Sequence, residues 1–71
     1  MSPKRRRVRN RIRELRTARG LSQGELADEV GATRQTINAI EQEKYAPSLE
    51  LAFRIAEAFG ESFEDVWTFA E

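Results

Sequence analysis

The fold is decided by residues 21–41, whose sequence is LSQGELADEVGATRQTINAIE. Ser22 stands three residues before Glu25, which is the spacing of a capping box: the hydroxyl accepts from the backbone N–H of the glutamate, and the carboxylate reaches back to the cap. This pattern predicts that a helix begins at Gln23. Gly31 is predicted to end it, because glycine adopts positive φ at little steric cost.

Another helix start follows after only three residues. Thr33 is a good N-cap for a helix over about residues 33–42. Two helices joined by so short a turn cannot pack antiparallel, and they must cross closer to a right angle. Ala27 is small enough for their point of contact. The combination predicts a helix-turn-helix, whose core partners would be Leu26, Val30, Ile37 and Ile40.

The rest of the chain predicts three more helices and shows no strand pattern. Apolar residues recur at helical spacing from Val8, so a first helix is expected over about Arg9 to Arg19. A fourth helix is expected between the cap Ser48 and the stop Gly60, and Ser62 caps a short fifth one. The predicted fold class is therefore all-α, with five short helices and the helix-turn-helix at the second and third.

Length and composition exclude several classes of protein. A chain of 71 residues suffices for one small domain. It contains no cysteine and no histidine, which excludes disulfide frameworks, thiol chemistry and the usual zinc sites. No apolar run approaches the ~20 residues of a membrane span, and no secretory signal is visible. We expect a cytoplasmic, nucleoid-associated protein with no cofactor, no membrane contact and no small-molecule ligand domain.

The net charge of zero hides a strong asymmetry. Residues 1–19 hold nine basic side chains and one acidic one, a net charge of +8, whereas residues 20–71 hold three and eleven, a net charge of −8. Such a division suggests a basic segment for a polyanion, although a solvated tail that keeps the protein soluble fits the same pattern. Residues 1–8 are predicted to form a flexible basic arm, and residues 9–71 the helix-turn-helix domain, whose C-terminal helix is available for dimerisation.

The quoted stretch resembles the core of the lambda-repressor and Cro-like (XRE-type) helix-turn-helix family. The following KYAPSLELAFRIAEAF resembles a subgroup of small, free-standing bacterial and archaeal transcriptional regulators. The match covers about residues 10–67, and it departs at Glu43, where many relatives have glycine; this leaves the shape of the loop Glu43–Tyr45 open. The resemblance implies a sequence-specific regulator of transcription, more often a repressor, whose third helix enters the major groove of double-stranded DNA.

Four residues of the third helix are candidates for reading bases. Arg34 can pair bidentately with guanine O6 and N7, and Gln35 with adenine N6 and N7. Asn38 lies one turn beyond Arg34 and extends the reading, while Ala39 is suited to contact a thymine methyl group. A solvated polar face would explain any one of these polar residues, but in a helix-turn-helix we assign them to DNA.

Phosphate contacts are expected from other positions. Gln23 opens the second helix, where free N–H groups and the positive end of the helix dipole favour an anion. The resemblance implies that its side chain and backbone both bond phosphate, and that Arg16 and Glu41 form a buried ion pair. Further phosphate candidates are Ser22, Thr33, Lys44, Arg5, Arg6, Arg7 and Arg9.

A homodimer is expected because one helix-turn-helix covers only a few base pairs. Phe53, Trp67 and Phe69 are candidates for its interface, and the alternative is a C-terminus that folds back on its own core. The competing function is a protein-interaction module, such as an antitoxin whose acidic half binds a basic partner. An enzyme is rejected, because the chain lacks histidine, cysteine, a metal constellation and a glycine-rich phosphate loop.

Overall fold

Two short strands and five helices make up the fold in the computed structural model, which describes residues 7–70. The elements in chain order are β1 (Val8–Asn10), α1 (Ile12–Ala18), α2 (Gln23–Val30), α3 (Arg34–Glu41), α4 (Leu49–Phe59), α5 (Phe63–Val66) and β2 (Trp67–Phe69). The predicted fold of five short helices, with a helix-turn-helix at the second and third, is confirmed. No helix within residues 7–70 is long and apolar enough to cross a membrane.

Short polar side chains fix where the helices begin. Ser22 Oγ accepts from the backbone N–H of Glu25 at 3.0 Å, and Glu25 Oε1 accepts from the N–H of Ser22 at 2.8 Å. The capping box predicted from the sequence is therefore complete. Thr33 caps α3 and Ser48 caps α4 from one side only, each accepting from the third N–H of its helix.

The structure shows the shape of the loop after α3, which the sequence left open because of Glu43. This residue adopts a left-handed conformation with φ of 62°, close to the 74° of Gly31 at the end of α2. Its N–H donates to the Ile40 carbonyl, and the N–H of Lys44 donates to the Ala39 carbonyl, both at 2.9 Å. These are the two hydrogen bonds of a Schellman motif. The turn that glycine would make is thus kept, at a steric cost of about 1–2 kcal/mol for a residue with a Cβ.

The core lies between the helix-turn-helix and α4. Four residues of α4 are buried, which places this helix at the centre of the domain as its broad apolar face predicts. Ala27 is also buried, in keeping with the small residue expected where α2 and α3 meet. The buried side chains are Ile12, Leu15, Leu26, Ala27, Val30, Ile37, Ile40, Ala52, Ile55, Ala56, Phe59, Val66 and Trp67.

The prediction that the chain contains no strand is wrong. β1 pairs with β2 in antiparallel register, with Val8 opposite Phe69 and Asn10 opposite Trp67. The side chain of Asn10 accepts from the N–H of Ile12 at 3.1 Å, so α1 begins at Ile12 and not near Arg9. Strands of three residues are too short to show an alternating pattern, and their pairing joins opposite ends of the chain. Val8, assigned to the arm from the sequence, is part of this sheet.

Two arginines cap helix ends in a way that the sequence did not reveal. Arg19 Nη2 donates to the Phe59 carbonyl at 2.7 Å, near the end of α4. Arg54 Nη1 donates to the Val30 carbonyl at 3.1 Å, at the end of α2. These bonds satisfy carbonyls that have no partner within their own helix, and they tie neighbouring helices together.

Candidate nucleic-acid interface

The first turn of α3 carries two polar side chains that the fold does not use. Arg34 and Gln35 are exposed, and neither forms a hydrogen bond or ion pair with any described residue between positions 7 and 70. Ile37 and Ile40 on the opposite side of the same helix are fully buried. The helix is thereby fixed in rotation about its axis, because its apolar side cannot leave the core. Ala39 lies half-buried at the boundary between the two sides.

The start of α2 lies next to the start of α3. A depression of about 410 Å³ between them is lined by Arg16, Ser22, Gln23, Gly24 and Arg34. Ser22 and Thr33 are exposed residues, but the hydroxyl of each is engaged as a helix cap. The backbone N–H groups at a helix start are available to an anion. Lys44, beyond the end of α3, is exposed.

A buried ion pair joins α1 to the end of α3. Arg16 Nε donates to Glu41 Oε2 at 2.8 Å, and Arg16 Nη2 donates to Glu41 Oε1 at 3.2 Å. The third arm of the guanidinium donates to the Leu21 carbonyl at 2.9 Å. Only 3% of the Glu41 side chain is exposed. The hydrogen bond to Glu41 raises the pKa of Arg16 above its ordinary value, so the guanidinium stays charged.

The side chains of Gln23 and Asn38 extend this ion pair into a network. Gln23 Nε2 donates to Glu41 Oε1 at 3.1 Å and to Asn38 Oδ1 at 3.2 Å. Gln42 Nε2 donates to the same Asn38 oxygen at 3.2 Å. The structure therefore places Gln23 and Asn38, predicted separately as a phosphate contact and a base contact, in one hydrogen-bonded group. Nothing in the local sequence signals this, because the three helices meet only in the folded chain.

A wide groove of mixed charge runs beside the second half of α3. It has a volume of about 880 Å³, and its wall includes three arginines, among them Arg9 and Arg13, and also Glu14 and Glu41. The Arg13 side chain is 81% exposed and lies 3.9 Å from Glu41, although sequence reasoning did not single it out. Arg9 is exposed and pairs with Glu43 at 3.5 Å.

The predicted arm contacts are only partly covered by the structure. Arg7 is exposed, and its carbonyl accepts from the N–H of Ala70 at 2.8 Å, which continues the pairing of the two strands. Arg5 and Arg6 lie outside the described residues.

The aromatic residues proposed for an interface do not share one environment. Trp67 is only 6% exposed, and its indole Nε1 donates to the Ala52 carbonyl at 3.1 Å. This residue belongs to the core of its own chain, which corrects its assignment to an interface. Phe53 and Phe69 are both more than half exposed. The ring of Phe53 lies 4.8 Å from that of Phe63.

An apolar hollow of about 360 Å³ lies close to these aromatic residues. Its lining includes Val8, Leu49, Phe63 and Phe69. None of its lining residues belongs to α2 or α3. Within residues 7–70 there is also no group of three or more histidine, cysteine, aspartate or glutamate residues arranged to hold a metal ion.

Known proteins resemble this chain over most of its length. A family model described as Helix-turn-helix matches residues 12–66. An uncharacterized HTH-type transcriptional regulator of Methanothermobacter thermautotrophicus is 54% identical over 65 residues, which are 90% of this chain and 94% of that protein. A similar regulator of Methanocaldococcus jannaschii is 44% identical over 64 residues, which are 90% of this chain and 97% of that protein.

A solved structure shows the same arrangement of helices. The restriction-modification controller protein from Aeromonas hydrophila is 36% identical and superposes with a TM-score of 0.73. The superposition covers 78% of this chain and 80% of the controller protein. Sequence and structure comparisons thus agree on the same kind of domain.

Proposed function

The chain belongs to this helix-turn-helix family, and we propose that it regulates transcription by binding double-stranded DNA in a sequence-specific manner. The observation that carries the proposal is the first turn of α3, where Arg34 and Gln35 are exposed and unengaged by residues 7–70. Long polar side chains lose conformational entropy when they bind a ligand. Hydrogen bonds to base edges can offset that loss. We assign guanine to Arg34 and adenine to Gln35, with Ala39 against a thymine methyl group.

Backbone contacts would hold α3 in the major groove. The free N–H groups at the starts of α2 and α3 suit phosphate oxygens, as do the exposed Lys44, Arg7 and Arg9. Arg13 is added to this group because it is the most exposed basic side chain with a place in the groove beside α3. No acidic side chain of α4 or α5 lines that groove, and the two glutamates that do, Glu14 and Glu41, are each paired with an arginine.

We further propose that the protein is a homodimer and that it represses transcription. It would act in the cytoplasm, bound to the nucleoid. Phe53, Leu49 and Phe69 expose large apolar surfaces, and such surfaces are typical of protein interfaces. A twofold dimer would place two recognition helices about 34 Å apart on successive turns of the DNA. A dimer seated on a promoter would exclude the polymerase. No catalytic step is part of this proposal.

Selection of bound sites from random duplex DNA tests the proposal directly. Wild-type protein at moderate salt should enrich one motif, with two half-sites about one helical turn apart if it binds as a dimer. Sedimentation of the Phe53→Ala and Phe69→Ala variants would test the interface separately. Failure to enrich any motif would overturn the proposal, and it would favour the protein-interaction module instead.

A further inference from the structure

A chain of hydrogen bonds leads from the buried ion pair to the exposed surface of α3. It begins at Arg16, passes through Glu41 and Gln23, and ends at Asn38, with no step longer than 3.2 Å. Of these four hydrogen-bonded residues, only Asn38 is exposed, and the other three are partly buried. The exposed end therefore inherits its orientation from groups that the fold holds in place.

Each step of this chain has only one allowed direction. A guanidinium has hydrogen-bond donors and no acceptor, and the carboxylate paired with it has acceptors and no donor. Gln23 must therefore turn its NH2 group toward Glu41, because its carbonyl oxygen would otherwise meet a carboxylate oxygen at 3.1 Å. That NH2 group has two protons, and the second one is directed at Asn38. Asn38 must accept this proton with its side-chain oxygen, because two NH2 groups would repel each other.

The outer half of the Asn38 amide is thereby determined. Its oxygen accepts from Gln23 and Gln42, so both lone pairs are occupied. Its NH2 group donates to no residue between positions 7 and 70, and it is the part of the amide left for a ligand. An isolated asparagine offers either a donor or an acceptor, whereas this one offers a donor alone.

We propose that Asn38 reads its base only as a hydrogen-bond donor, and that Gln23 is the positioning residue that fixes this polarity. The inference rests on the proposed DNA-binding function and sharpens it. In the major groove the accepted partners are guanine O6 and N7, adenine N7 and thymine O4, whereas the amino group of cytosine is rejected. Bidentate pairing of Asn38 with adenine is excluded too, since that requires the amide oxygen.

These hydrogen bonds also change the role expected of Gln23. Both protons of its NH2 group are used inside the protein, so its side chain has only an oxygen left. An oxygen cannot donate to phosphate. A phosphate at the start of α2 is therefore bound by backbone N–H groups and not by the Gln23 side chain.

Selection from random DNA with a set of matched variants tests the polarity of Asn38. Asn38→Ala identifies the base pair that this residue reads, because discrimination is lost there. Gln23→Met should reduce discrimination at that pair about three- to tenfold, the worth of one hydrogen bond, and leave the pair read by Arg34 unchanged. Gln42→Met is the control: it removes the other bond to the Asn38 oxygen but leaves the link to Glu41, so discrimination should stay within about twofold.

Asn38→Asp tests the direction of the bond. The aspartate keeps an inner oxygen for Gln23 and replaces the outer NH2 group by a second oxygen. The preferred base should change to one with a donor, namely the amino group of cytosine or adenine. An unchanged preference in Asn38→Asp, or equal effects of Gln23→Met and Gln42→Met, would overturn the inference. Uniform weakening at all sites by Asn38→Ala would overturn it as well, since Asn38 would then contact phosphate.

Hydrogen exchange in free wild-type protein supplies a measurement that needs no variant. Both side-chain amide protons of Gln23 should exchange several-fold more slowly than those of Gln35, which is exposed and unengaged. Equal exchange rates would refute the two hydrogen bonds that Gln23 is inferred to donate to Glu41 and Asn38. If wild type enriches a motif but these tests fail, only the polarity of Asn38 is wrong; if wild type enriches none, the DNA-binding function itself fails.

Discussion

The two ends of α3 differ in what their polar side chains already touch. At the first turn, Arg34 and Gln35 are exposed and are not bonded to the described part of the chain, residues 7–70. At the other end, Glu41 is held by Arg16 and Gln23 and is almost completely buried. The side chains at one end are bonded within the protein, and those at the other end remain available to a ligand. Substitutions at the two ends should therefore have opposite consequences for stability and for binding.

The largest expected effect is the loss of stability caused by Glu41→Ala. Removing one partner of a buried ion pair leaves the Arg16 charge uncompensated, which costs about 3–5 kcal/mol. That is a large part of the total stability of a domain of this size, so thermal denaturation should show a variant that is mostly unfolded.

Glu50→Ala is the matched control for this change. Glu50 also pairs with an arginine at 2.8 Å, but its side chain is 77% exposed. Exposed pairs contribute only about 0.2–1 kcal/mol, so its melting temperature should move little. A melting temperature of Glu41→Ala equal to that of wild type would show that burial of the pair does not matter.

Arg34→Ala should have the reverse profile. The side chain makes no contact that the fold needs, so the melting temperature should stay near that of wild type. Discrimination at one base pair should fall by about 1–3 kcal/mol, which is the value of a bidentate contact to guanine. Competition binding with duplexes that differ at single positions measures this. An equal loss at every position would instead indicate a phosphate contact.

Glu43→Gly should stabilise the protein. Glycine removes the steric cost of positive φ, which is about 1–2 kcal/mol, while only the ion pair with the exposed Arg9 at 3.5 Å is lost. A gain of about 1 kcal/mol raises the melting temperature of a domain of this size by about 4–8 °C. Glu43→Gln is the control, because it loses the ion pair but keeps the strain. If both variants melt at the same temperature, the strain at this position is negligible.

The smallest effect is expected from the exposed pair at the start of α1. The hydrogen bond from Arg11 lowers the pKa of Glu14 below its ordinary value. Any stability that it adds is present above the ordinary pKa and is lost as the pH falls through the lowered one. Solvent screens both side chains, so Glu14→Gln should leave the melting temperature at neutral pH and its decline in acid unchanged within error. A clear flattening of that decline would assign the pair a larger role.

The sequence predicted those features that depend on neighbouring residues. The capping box at Ser22 and the stop at Gly31 both concern contacts within a few residues, and each has a specific chemical signature, whereas the turn at Glu43 was left open by the sequence. The buried positions of α3 followed equally well from helical spacing. Local chemistry was thus enough to place the helix-turn-helix.

Features that join distant parts of the chain could not be predicted in this way. Pairing of β1 with β2 depends on where the two chain ends meet, and three residues carry no periodicity. The bonds from Gln23 to Asn38 and Glu41 depend on the crossing of α2 and α3, which sequence fixes only roughly. Burial of Trp67 in β2 places its indole N–H against the carbonyl of Ala52 in α4, a contact between distant parts of the sequence.

One measurement tests directly whether DNA is bound by the exposed end of α3. Amide resonances of wild-type protein are followed while a duplex that carries the selected motif is added. We expect the largest shifts at the start of α2, at residues 33–35 and along the groove near Arg13, while α4 and its exposed Phe53 change little. Shifts concentrated on α4 and α5, with residues 33–35 unchanged, would contradict it.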